Sequence, residues 1–98
     1  MQALNTLLRK LAVVTQHIAA MQNQQVAYFL ASKIKLAASF SSVDYVDIAD
    51  IADTYVSDCA DNFCPEDIKR LEAISEVLRQ ANTALHAVQD AQLAQIPS

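Results

Sequence analysis

The sequence predicts an all-α fold, an antiparallel bundle of three helices, or of four if the first breaks near Gln22-Gln25, with an αα-hairpin in its C-terminal half. Three observations carry this. None of the 98 residues is glycine, and strand-rich folds lean on glycine for tight hairpin turns and bulges. Apolar residues recur at spacings of three and four along most of the chain, the period of a helix with one buried face. The prolines, Pro65 and Pro97, stand where a helix can begin or end.

The first helical pattern runs from Gln2 to about Ser39. Leu4, Leu7, Leu8, Leu11, Val14, Ile18 and Met21, then Val26, Phe29, Leu36 and Phe40, keep one phase when laid out at ~100° per residue. That continuity predicts one long helix or two nearly collinear ones. Its weak point is Gln22-Asn23-Gln24-Gln25, where Gln22 and Gln25 interrupt the apolar seam with polar groups.

Ser39-Phe40-Ser41-Ser42 ends this element, and Ser41 followed by Asp44 has the spacing of a capping arrangement. The next helix has a stripe of Tyr45, Ile48, Ala49, Ile51, Ala52, Tyr55, Val56, Cys59 and Ala60, with aspartates opposite. After the short connection Asn62-Phe63-Cys64, Pro65 supplies a first helical position. Glu66 and Asp67 put acids in the first turn, where the helix dipole favours them. The last helix carries a seam at Leu71, Ile74, Leu78, Ala81, Leu85 and Val88, flanked by Val77, Ala84 and Ala91, and is expected to fray before Pro97. The hairpin so formed extends from Ser42 to about Gln95.

Residues 1–98 form one domain, with no internal repeat or linker. At 53% hydrophobic and 18% charged, the chain is short of the ~25% charged residues of an ordinary soluble domain. Folding at this size hides only about two-thirds of the surface exposed by the unfolded chain. A partner covering some apolar face is the expected remedy.

Charge is divided along the sequence. Up to Val43 the only charged side chains are Arg9, Lys10, Lys33 and Lys35; beyond it Lys69, Arg70 and Arg79 face eleven acids. Pairing of the basic first element with the acidic hairpin, within or between chains, is electrostatically favoured and serves orientation more than stability. A net charge of −4 with so few basic residues argues against direct binding of nucleic acid.

The composition excludes several functions. Without glycine there is no phosphate-cradling loop of the P-loop or dinucleotide type. Acids three apart on a helix do not make an EF-hand loop. Cys59 and Cys64 are too few for a disulfide scaffold and lack the further ligands of a zinc site. They read as free thiols, Cys59 within the buried stripe and Cys64 ahead of a helix N-terminus, a setting that raises thiol reactivity. His17 and His86 stand alone off the seams as surface residues. No catalytic site, cofactor or metal is expected. A membrane-spanning helix is not expected either, since Lys33 and Lys35 interrupt the longest apolar stretch. The N-terminus lacks the order of an export signal, so a cytoplasmic location is the default, leaderless secretion aside.

The expected function is that of a non-enzymatic helical interaction protein, an adaptor, small chaperone or assembly subunit. It would act on a protein partner through an exposed apolar helix face, with self-association into a homodimer as its simplest form. The partner-binding candidates are Leu4, Leu8, Leu11, Ile18, Phe29 and Leu36. The alternative is an acidic inhibitor whose Asp47, Asp50, Asp53, Asp58 and Asp61 imitate a nucleic-acid backbone; a solvated helix face is the plainer account of that row.

Overall fold

A computed structural model of the chain describes residues 2–39 and 44–95. They form four α-helices: α1 (Gln2–Ala20), α2 (Gln24–Ser39), α3 (Tyr45–Asp58) and α4 (Pro65–Gln95). A 3₁₀ turn at Ala60–Asn62 links the last two. No strand occurs among the described residues. Of the two architectures the sequence allowed, the four-helix form holds, because the helix breaks at Met21–Asn23; the single long first helix is set aside.

The longest helix, α4, is the spine. α1 and α3 pack along it, and both run antiparallel to it. For α1 the direction is fixed by Lys10, whose Nζ donates to Gln80 Oε1 at 2.7 Å, and by Gln22, whose amide reaches Asp67 at the start of α4. For α3 it follows from the short connection and from Arg79, which meets Asp50 and Asp53. α2 turns back from the end of α1 and packs more lightly, chiefly against α1 and α3.

The core joins Leu7, Val14, Ile18 and Met21 of α1 and its exit, Ala27 and Leu30 of α2, Tyr45, Ile48, Ala49 and Ala52 of α3, and Leu71, Ile74, Leu78, Ala81 and Ala84 of α4. The α3 and α4 members belong to the stripes that periodicity assigns there, but Ala60, placed in the same stripe, is exposed because α3 ends at Asp58 and the chain passes into the 3₁₀ turn. Ile51, Tyr55, Val56, Val77 and Leu85 close the margins of the core. Tyr55 and Phe63 meet edge-to-face, with ring centroids 5.6 Å apart and planes at 71°, and so pin the 3₁₀ turn to the end of α3.

The local signals at the helix starts differ in detail from expectation. Asp44 is itself the N-cap of α3, its side chain accepting from the Val46 amide at 3.0 Å. Its expected partner Ser41 lies outside the described residues, as do Phe40 and Pro97. α4 begins at Pro65 as the sequence requires, and the Cys64 carbonyl accepts the first bond of the helix from the Ile68 amide. Among the described residues no backbone φ is positive, so every turn is made without the left-handed conformation that glycine would supply.

Candidate functional site

The corner between α1 and α2 is built by a residue from elsewhere. Asp67, in the first turn of α4, is only 1% exposed, and its carboxylate accepts from the backbone amides of Gln22, at 3.0 Å, and Asn23, at 2.9 Å. Arg70 donates to the same group at 3.0 Å. Burial alone would push this carboxyl up, but the two amides and the guanidinium outweigh it and hold it below the ordinary carboxylate range. Asn23 then caps α2 by accepting from the Val26 amide at 3.2 Å, and Gln24 Nε2 donates to the Met21 carbonyl. Main-chain groups left open where one helix ends and the next begins are thereby paired.

Beyond this corner, α2 has two dissimilar sides. Ala27 and Leu30 are buried and Ile34 and Ala37 are packed on the core. Tyr28, Phe29 and Leu36 are 78%, 39% and 42% exposed. The only charges on α2 are Lys33 and Lys35, and Lys33 Nζ stands 5.3 Å from the centroid of the Phe29 ring. Along α1, Leu8 and Val13 are the other large apolar residues that face water.

A groove of about 640 Å³ runs between α1 and α2, bordered by Thr15, Ile18, Tyr28, Ala31, Ile34 and Leu36. A second, of about 370 Å³, lies between Phe29 and the α3 residues Ile51, Thr54 and Tyr55, with Cys59 at its edge. Both are open at the surface rather than enclosed.

The residues expected at a binding face therefore divide. Leu8, Phe29 and Leu36 are exposed, Leu4 and Leu11 are half-buried, and Ile18 is buried in the core while still bordering the larger groove. Sequence phase places Phe29 and Leu36 on the seam of α1; the break turns them outward, and Ala27, Leu30 and Ile34 take the inward side instead. Tyr28 is the most exposed of the aromatic residues on α2. Only the break shows that its side faces water.

All five aspartates of the alternative site are exposed, but they are not equivalent. Arg79 donates to Asp50 at 2.8 Å and to Asp53 at 2.6 Å. Asp53 is held below its usual range first by the Ser75 hydroxyl, against the opposing effect of burial, and further by Arg79. That clamp ties part of the row to α4 and leaves Asp47, Asp58 and Asp61 as its outward charges. Cys59 and Cys64 are both half-buried free thiols. His17 is half-buried and His86 exposed. Among the described residues no cluster of His, Cys, Asp and Glu has the geometry to hold a metal ion, and no helix is long and apolar enough to cross a membrane.

No protein-family model, curated protein or solved structure matches the chain.

Proposed function

We propose that this chain is a non-enzymatic helical interaction protein that binds a protein partner through the outward side of α2 and the groove it forms with α1. The observation that carries the reading is the set Tyr28, Phe29 and Leu36, three large apolar side chains facing water on one sixteen-residue helix whose only charges are two lysines. Isolated exposed apolar residues are ordinary. Several on one short helix, beside an apolar-bordered groove, are the mark of a surface that is covered in use. Another copy of the chain is the simplest partner. An adaptor, a small chaperone and an assembly subunit all share this requirement.

The test is association of the purified chain by light scattering at rising concentration, for the wild type and for Phe29→Asp with Leu36→Asp. Both positions are exposed, so the double variant is expected to keep its helical content and lose association. Association that survives the double change excludes this face. The acidic-mimic reading makes the opposite prediction. It requires the row Asp47, Asp50, Asp53, Asp58 and Asp61, two of them already held by Arg79, and change of all five to Asn would remove activity while leaving self-association intact.

A further inference from the structure

α2 carries two apolar seams that cannot be used together. In the bent chain Ala27, Leu30 and Ile34 face the core, and Phe29 and Leu36, seven residues apart, face water. Were α1 to continue through residues 21–24 without a break, the helical period of ~100° per residue would bring Phe29 and Leu36 onto the stripe of Leu7, Leu11, Val14 and Ile18. Ala27, Leu30 and Ile34 would then point away from it. The sequence is thus patterned for a straight helix as well as for a corner.

The junction itself does not forbid the straight form. Met21, Gln22 and Asn23 include neither glycine nor proline, and no residue there has a positive φ. The break is held by contacts, the Asp67 carboxylate on the Gln22 and Asn23 amides and the Asn23 side chain on Val26. In a continuous helix those two amides would instead bond the carbonyls of Ile18 and Ala19. The corner is a competition between one carboxylate of α4 and two main-chain acceptors.

We propose that the chain has a second state in which α1 and α2 form one straight helix and two copies exchange α1, each seating it on the partner's α3–α4 hairpin. This rests on the reading above in its use of Phe29 and Leu36, which then join the seam that faces the partner, whereas the groove between α1 and α2 belongs to the bent form. Ser39 at the end of α2 is tied to Tyr45 at the start of α3 by five residues, ~20 Å at most, and in a straight helix the whole of α1 lies beyond the opposite end of α2. Straightening therefore carries α1 off its own hairpin and uncovers Leu71, Ile74 and Leu78 of α4. The surface that fits them is another α1, with the same Leu7, Val14 and Ile18 seam, the same Lys10 for Gln80, and the same positive charge against an acidic hairpin. Exchange of an identical element through a short hinge is a low-cost route to a dimer.

The experiment is light scattering on the full chain at rising concentration, with spin-label distances between positions 15 and 31. Thr15 and Ala31 border one groove in the bent form and stand ~24 Å apart in a straight helix. Asp67→Asn is expected to favour the dimer by about tenfold or more, the scale of one lost charge-assisted hydrogen bond, and to lengthen that distance. Asn23→Ala, which removes the α2 cap without touching α4, is expected to act in the same direction and decides the matter if Asp67→Asn fails to fold. Gln24→Pro fits the first position of α2 but not the interior of a continuous helix, and is expected to hold the chain bent and abolish the exchanged dimer. A dimer that persists in Gln24→Pro overturns the exchange and leaves the binding face of α2 standing. Wild type, Asn23→Ala and every folded Asp67 variant remaining monomeric overturns the exchange as well. Indifference to Phe29→Asp with Leu36→Asp removes the reading beneath it.

Discussion

α4 and α2 are both helices with apolar residues at helical spacing, yet one is a spine and the other a flank. α4 places Leu71, Ile74, Leu78, Ala81 and Ala84 in the core, between α1 and α3. α2 places Ala27 and Leu30 there and leaves its two aromatic side chains, Tyr28 and Phe29, together with Leu36, toward water. Burial of apolar area is the main source of cohesion. The three helices centred on α4 therefore carry the stability, and α2 is held by a narrower seam and by hydrogen bonds at its first residues. A segment held this way is the kind that opens at lower free energy than the rest of a fold.

The largest effect expected from this contrast is at α4. Leu78 is fully buried, so Leu78→Ala is expected to cost about 2–5 kcal/mol, as large-to-small changes in cores do. Leu36→Ala, the same chemical change on the outward side of α2, is expected to stay within about 0.5 kcal/mol. Urea unfolding of the two variants compares them directly. Equal losses would mean that α2 is as integral to the core as α4.

Next in size is the corner. Asp67→Ala leaves the amides of Gln22 and Asn23 without their acceptor, at about 1–3 kcal/mol in all, because Gln22 is exposed and Asn23 half-buried, so water replaces part of what is lost. The direction of the pH effect follows from the depressed carboxyl. Its folded-state pKa lies below its unfolded value, so the stabilisation is complete above the ordinary carboxylate range and is lost as pH falls through the lower, folded value. Hydrogen exchange at Gln22, Asn23 and the first turn of α2, corrected for the intrinsic slowing of amide exchange at lower pH, should therefore lose protection on acidification before the middle of α4 does. Simultaneous loss of protection in both would remove the distinction between flank and spine.

The sequence was most legible where one signal sufficed. Pro65 marks the start of α4, and the stripes from Tyr45 to Ala60 and from Leu71 to Val88 are single-sided, so period alone locates their buried faces as far as Val56 and Leu85, while Ala60, past the end of α3, is exposed. It was least legible in α2, where alanine and larger apolar residues occupy both sides and spacing supports two seams. Phe29 and Leu36 follow the phase of α1, Ala27, Leu30 and Ile34 do not, and the corner decides between them. The corner in turn depends on Asp67, which lies 45 residues beyond Gln22. An acid in the first turn of a helix is already explained by the helix dipole, so nothing local announces that this one reaches back to another helix.

The smallest effect belongs to the clamp between α3 and α4. Arg79 donates to Asp50 and Asp53 at short distances, but all three side chains are open to solvent. Exposed ion pairs gain little net energy, because holding long side chains in one geometry offsets the attraction and salt screens it. Arg79→Ala is thus expected to change stability far less than Leu78→Ala or Asp67→Ala, and the difference from wild type should shrink as salt is raised. A different readout should move more, since the substitution releases two carboxylates from their cation. Asp53, now held low by Ser75 and Arg79, should titrate at higher pH in Arg79→Ala, which carboxyl chemical shifts report directly. An unchanged Asp53 titration would mean that the Ser75 hydroxyl alone sets it, and that the Arg79 contacts serve neither the charge of the acidic face nor its attachment to α4.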